Sequence, residues 1–180
     1  MSQAAQVFVL AEDVRQRMLI RKHLRKRGYT THRIIELPWA PNYPTPCLKF
    51  VMDELPRQVA AIRAKHATYA LIAVVDADDS TVAQRIAQLE KLLTDNGLAA
   101  RQPGEPIAFV VPRRNVETWL FYLEGNTVDE VTDYKPLCRA FDNGQCAQKF
   151  ARFSWPYAAS VVGAPPSLDF ACAVELPKVP

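Results

Sequence analysis

Four short apolar runs punctuate the first two thirds of the chain, and each is followed by a stretch with helical spacing. Residues 7–10 (VFVL) suit a buried strand. Behind them a helix is expected over residues 13–27, with Asp13 as N-cap and Gly28 at its stop. Val14 and Met18 pair at i,i+4 along it, as do Ile20 and Leu24. Residues 31–37 predict a second strand. Pro38, Pro41, Pro44 and Pro46 then mark a loop carrying Trp39 and Tyr43. A second helix fits residues 54–66, with Leu55, Val59 and Ile62 on one face. Residues 69–75 (YALIAVV) form the clearest strand, apolar throughout, as strands are when both faces of a parallel sheet are covered. Ser80 is placed to cap a third helix with the stripe Val82, Ile86, Leu89 and Leu93, ended by Gly97. Residues 107–111 (IAFVV) make a fourth strand. A fourth helix starts near Asn115 and carries Val116, Trp119, Leu120 and Leu123.

Strand and helix therefore alternate four times. The pattern predicts an α/β fold: a three-layer, Rossmann-like, mostly parallel sheet with helices on both faces. Beyond Gly125 the periodicity weakens, and an irregular helical C-terminal extension is expected. Residues 1–180 are read as one domain, with a core over 6–123 and an extension over 124–180 packed on it. Trp119 and Phe153 are expected in the core, whereas Trp39 and Tyr43 are the candidates for stacking on bases.

Composition narrows the picture. Of 180 residues 49% are hydrophobic, which favours a packed core over disorder. No apolar run approaches the roughly 20 residues of a membrane span. The first residues lack the pattern of a secretory signal, and four scattered cysteines suit reduced thiols, so a cytoplasmic protein without a membrane partner is expected. The histidines and cysteines do not supply zinc spacing. The net charge of +3 says little, but residues 14–35 hold no acid and eight basic side chains. Arg21, Lys22 and Arg25 lie in this stripe, which suits either phosphate binding or a solvated helix face.

The candidate chemistry lies at strand ends, where parallel α/β sheets place ligands. The first strand ends at Glu12 and Asp13, the third at Asp76, Asp78 and Asp79, and the fourth at Arg113 and Arg114, with Glu117 just inside the next helix. Carboxylates gathered at one edge repel one another unless a cation lies among them, and a hard divalent ion such as Mg²⁺ or Mn²⁺ suits oxygen ligands. Asp76 and Asp78 would share a face if the backbone between them is extended. Each acid also has a simpler reading as a helix-terminal residue. Arg113 and Arg114 suit either phosphate contacts or ion pairs with these acids, and Lys135 reads as a surface residue.

Two segments, VFVLAE ending at Glu12 and LIAVVDADD ending at Asp79, resemble the TOPRIM fold of topoisomerases, primases and OLD-family nucleases. The segment VPRRNVETW around Glu117 is similar to one in small TOPRIM-like bacterial proteins associated with nucleic-acid defence. The resemblance spans about residues 6–123. It implies Glu12 as general acid or base, Asp76 and Asp78 as catalytic Mg²⁺ ligands, and Glu117 as an accessory ligand; Glu12 and Asp79 complete the candidate metal set. It further implies a metal-dependent nuclease or phosphoryl-transfer subunit acting on nucleic acid. Where the family commonly has glycine after the glutamate, Asp13 stands here. No G-x-x-x-x-G-K-[ST] motif is present, so ATP dependence would require an ATPase partner.

Two alternatives stay open. One is a non-catalytic TOPRIM-like module that binds nucleic acid or protein. The other rests on residues 7–29, which also look like the start of a response-regulator receiver domain. Asp76 or Asp53 would then be the phosphoacceptor, and Lys135-Pro136 would match the family's lysine.

Overall fold

The computed structural model describes residues 3–38, 47–65, 68–157 and 163–180. Trp39 and Tyr43 lie outside the described residues. Strands β1 (Gln6–Ala11), β2 (Ile34–Glu36), β3 (Tyr69–Val74) and β4 (Ile107–Val110) form one sheet in the order β2-β1-β3-β4. Every pairing is parallel, with Val7 opposite Ile34 and Ala70, and Leu71 opposite Ile107. Helices α1 (Val14–Lys26), α2 (Leu48–Arg63), α3 (Val82–Asp95) and α4 (Val116–Leu123) connect or follow the strands. The expected three-layer α/β architecture is therefore what the chain adopts.

Alternating side chains on each strand build two cores, one on each sheet face. Val7, Val9, Ala11, Ile72, Val74 and Val110 pack with α1, α4 and the C-terminal helices. Leu10, Leu71, Ala73, Val75, Phe109 and Val111 pack with α2 and α3. Both faces of β3 are covered, which accounts for its unbroken apolar sequence.

Several element boundaries differ from the sequence expectation, each for a local reason. Residues 31–33 form a 3₁₀ turn, so the second strand shortens to three residues. Helix α2 begins at Leu48 because Phe50 and Val51 extend its buried stripe toward Leu55, Val59 and Ile62. That stripe carries Pro56 inside the helix despite the amide it lacks. Thr81, not Ser80, caps α3, in a reciprocal pair with Gln84. The buried face of α1 is Gln16, Leu19, Ile20, His23 and Leu24, while Val14 is exposed. Two polar residues thus stand on an apolar stripe.

The extension adds α5 (Asn143–Ser154), α6 (Pro166–Phe170), a π-helical turn at Ala171–Glu175 and a 3₁₀ turn at Leu176–Lys178. Cys146, Ala147 and Phe150 of α5 join the α1 core, and Phe150 stacks on Trp119. The extension also closes the outer edge of β4. The buried Glu175 carboxylate accepts from the Phe109 amide at 2.7 Å and pairs with Arg101 at 2.8 Å and Lys178 at 2.5 Å. An exposed strand edge is a site for unwanted pairing, and this carboxylate satisfies its amide. All four cysteines are free, and burial pushes the Cys138 and Cys172 thiols up to about 12.

Removing Glu175 leaves the Phe109 amide and the Arg101 guanidinium poorly partnered in the interior. The Glu175→Ala variant is expected to lose about 3 kcal/mol of unfolding free energy, read as a lower urea midpoint at unchanged slope.

Candidate active site

The path of the chain reverses direction between β1 and β3: β1 leads to β2 on one side, and β3 leads to β4 on the other. In open α/β sheets ligands bind in the crevice at such a switch point, beyond the carboxyl ends of the strands. Here that crevice is lined by the residues that follow β1 and β3.

Hydrogen bonds fix these residues in place. The Glu12 amide donates to the Val74 carbonyl at 3.2 Å and to Gln16 Oε1 at 3.0 Å. One step further along β3, the Asp76 amide donates to Glu12 Oε2 at 3.1 Å. Gln16 is wholly buried, and its Nε2 donates to Asp76 Oδ1 at 2.9 Å. One amide side chain therefore holds the first acid by its backbone and the second by its carboxylate. Asp13 caps α1 by accepting from the Gln16 amide at 2.8 Å. Its φ of −140° is extended backbone open to any residue, so the fold needs no glycine at that position.

Helix α4 brings the next acid. Glu117 is 5% exposed. Its Oε1 accepts from Arg15 Nη1 at 2.9 Å, while Oε2 is buried without a hydrogen-bond partner. Arg15 also donates to Asn143 Oδ1 and to the Cys138 carbonyl, both at 2.9 Å, so the extension orients it.

The acids affect one another's protonation. Burial raises the pKa of Asp76 well above the usual carboxylate value, and the charges of Glu12, Asp13 and Glu117 push it further. Glu12, Asp13 and Glu117 are raised as well, burial being the largest cause in each. The Lys135 ammonium acts against all four shifts. Lys135 is exposed, as expected, yet its charge belongs to this site.

Asp78 and Asp79 lie differently. The backbone between Asp76 and Asp78 is not extended, because Asp78 has φ of 51°. The expected shared face therefore does not form. The Asp78 carboxylate is half-exposed and 3.4 Å from Arg85, although its charge still bears on Glu12. Asp79 is 96% exposed and pairs with Arg114. Arg113 donates to the Asp78 carbonyl at 3.1 Å and to the Ser80 carbonyl. Arg114, with φ of 65°, accepts through its carbonyl from the Asp78 amide at 3.1 Å. Two non-glycine residues in the left-handed region thus face each other across the β3–α3 and β4–α4 loops. Strain of this kind, on the order of 1 kcal/mol per residue, concentrates at functional sites.

The basic stripe of α1 is not gathered at the acids. Arg21 pairs with Glu36 at 3.4 Å, Lys22 follows it in the helix, and Arg25 bonds the Tyr29 carbonyl and Thr31. Arg25 lies eleven residues past the start of α1, about 16 Å along its axis. Asp53 sits within α2, exposed and paired with Lys49, away from every strand end, which removes it as a phosphoacceptor.

Among the described residues no three His, Cys, Asp or Glu side chains form a ready metal cage. Of the five acids named from sequence, Asp79 turns out to Arg114 and Asp78 lies against Arg85. A smaller set suits a hard cation. Mg²⁺ commonly takes one or two carboxylates and keeps several waters. Asp76 and Glu117, with Glu12 beside them, offer buried oxygens whose mutual repulsion a cation would relieve, and Glu117 Oε2 has no donor of its own.

The pKa shifts carry a sign for stability. A carboxyl whose folded-state pKa is raised favours the fold below its unfolded pKa, and that contribution is lost as pH rises through the folded value. Asp76 therefore supports the fold less at neutral pH than in acid. Asp76→Asn, which keeps an oxygen for Gln16, is expected to raise the melting temperature by several degrees at pH 7.5. The gain should shrink toward pH 4. Added Mn²⁺ should raise the melting temperature of the wild type and leave the variant unmoved.

In comparisons with known proteins, no family model, curated protein or solved structure matches the chain.

Proposed function

We propose that the protein is a divalent-metal-dependent nuclease or phosphoryl-transfer subunit acting on nucleic acid, with a TOPRIM-like site. The observation that carries this reading is the group of acids at the switch point: buried Asp76, whose amide is held by half-buried Glu12, and buried Glu117, whose charge bears on Asp76 and whose Oε2 has no donor. A fold seldom retains mutually repelling buried acids unless their function repays the lost stability. The likeness of the Glu12 and Asp76-x-Asp78 segments to TOPRIM motifs points the same way.

In this reading Asp76 and Glu117 would hold Mg²⁺ or Mn²⁺, with Asp78 as a further ligand. When bound, the ion supplies charge stabilisation to the phosphoryl oxygens and lowers the pKa of bound water. Glu12 does the proton work. Its carboxyl is raised by burial, so it can take a proton as water attacks phosphorus and return one to the leaving oxygen. Gln16 fixes the Asp76 oxygen, and Arg15 fixes Glu117. Lys135 faces the substrate's negative charge. Arg113 and Arg114 set the loop beside the phosphate, and the α1 stripe would contact a longer strand. Any ATP dependence would come from a partner ATPase, and a role in bacterial defence would follow from cleavage of foreign nucleic acid.

One observation favours a second reading, a receiver-like switch. Lys135 stands by Asp76 and the acidic pair Glu12–Asp13, which suits phosphorylation of Asp76. Among the described residues no helix is long and apolar enough to cross a membrane, which bears on neither reading.

Incubation with single- and double-stranded DNA and RNA in Mg²⁺ or Mn²⁺ tests the proposal. Wild-type protein is expected to cleave at least one substrate, and Asp76→Asn and Glu12→Gln to lower the rate at least 100-fold. Absence of wild-type cleavage in both metals, or equal cleavage by Asp76→Asn, overturns the nuclease reading. A phosphoryl mass increment on Asp76 after acetyl phosphate treatment would favour the switch.

A further inference from the structure

A second site lies at the other end of α1. Between the last turn of that helix, the end of α5 and the C-terminal turns is a cavity of about 370 Å³, lined by His23, Arg27, Ser154, Trp155, Tyr157 and Leu176. This volume falls in the range of small-molecule sites. His23 is nine residues, about 14 Å, past the start of α1, so the cavity is separate from the acidic crevice.

Three observations give the cavity a chemical character. His23 is 1% exposed, and its Nδ1 shares a 2.7 Å hydrogen bond with Ser154 Oγ. Its Nε2 is buried with no partner. Burial lowers the His23 pKa to about 3, so the ring is neutral and adds no charge to the wall. Arg27 is the second feature. Its guanidinium lies 4.7 Å from the Trp155 ring centroid and donates to the Leu176 carbonyl at 3.2 Å. Among the described residues no carboxylate pairs with it, and burial lowers its pKa. A half-buried cation without an acid calls for an anion. The third feature is the wall. Trp155, Pro156, Tyr157 and Leu176 give flat, apolar surface around the two polar groups.

We propose that this cavity binds a small aromatic anion whose flat ring lies against the Trp155–Tyr157 wall and whose carboxylate or phosphate meets Arg27. Its volume sets a limit near the size of a nucleoside monophosphate. Ser154 positions the imidazole rather than acting as a nucleophile, since among the described residues no acid orients the far nitrogen. The proposal does not depend on the chemistry of the acidic crevice.

Titration of the full chain with AMP, GMP and UMP in one arm, and with benzoate and indole-3-carboxylate in the other, tests it by calorimetry and thermal shift. Saturable one-site binding with Kd below about 1 mM is expected in one arm, and the arm identifies whether the anion is a phosphate or a carboxylate. Arg27→Ala and Trp155→Ala should each weaken it at least tenfold, while Asp76→Asn should leave it unchanged. The Trp155 side chain is exposed enough to be removed safely. No saturable binding in either arm, undiminished binding by Arg27→Ala, or binding lost in Asp76→Asn would overturn the proposal.

Discussion

The hydrogen bond from the Asp76 amide to the Glu12 carboxylate is the contact on which the crevice depends. The parallel register that sets Ala11 opposite Val74 leaves Glu12 beside Val75, with Asp76 one residue further on. The ladder ends with the Glu12 amide on the Val74 carbonyl, and a side chain then takes over from the backbone. Two carboxylates are thereby brought together at a place that is largely closed to water. Gln16, Arg15 and Lys135 offset part of the repulsion: the first by donating to Asp76, the second by pairing with Glu117, the third through its charge. None removes it, and Asp76 keeps a strongly raised pKa.

The C-terminal extension belongs to this arrangement. Arg15 reaches Glu117 in the required orientation because Asn143 and the Cys138 carbonyl hold its other nitrogens. Lys135 and Asp133 come from the same segment, and Asp133 accepts from Asn115 at the start of α4 at 2.8 Å. The loops at the crevice are fastened in a similar way. Ala77 and Asp78 donate to the Pro112 and Arg114 carbonyls, so the β3–α3 and β4–α4 connections move as one. Left-handed backbone at Asp78 and Arg114 is the strain this fastening sustains.

Much of the sheet was legible because β3 and β4 are apolar on both faces and the α3 stripe is regular. The helix starts were less so. The local pattern of 48–53 does not announce a helix, and that turn forms where Phe50 and Val51 find a surface on the sheet. At the crevice, strand order alone brought Glu12, Asp76 and Glu117 to one edge. Side-chain direction could not be read the same way: Asp78 departs because one residue turns left-handed, a choice that D-x-D spacing does not encode. Lys135 was hidden for a different reason, since an exposed lysine in an irregular segment gives no sign of which acids the chain will fold it toward.

Helix α1 carried a signal that the basic residues around it obscured. Its buried stripe, Gln16, Leu19, Ile20, His23 and Leu24, is apolar in the middle and polar toward both ends. Burying an amide or an imidazole is unfavourable unless each finds partners. Gln16 finds partners for both of its polar atoms in the acidic crevice, using its oxygen for the Glu12 amide and its nitrogen for Asp76. His23 finds only one, Ser154, and leaves its second nitrogen buried without a partner. The same helix face therefore ties the crevice firmly at one end and carries an unmet polar atom at the other.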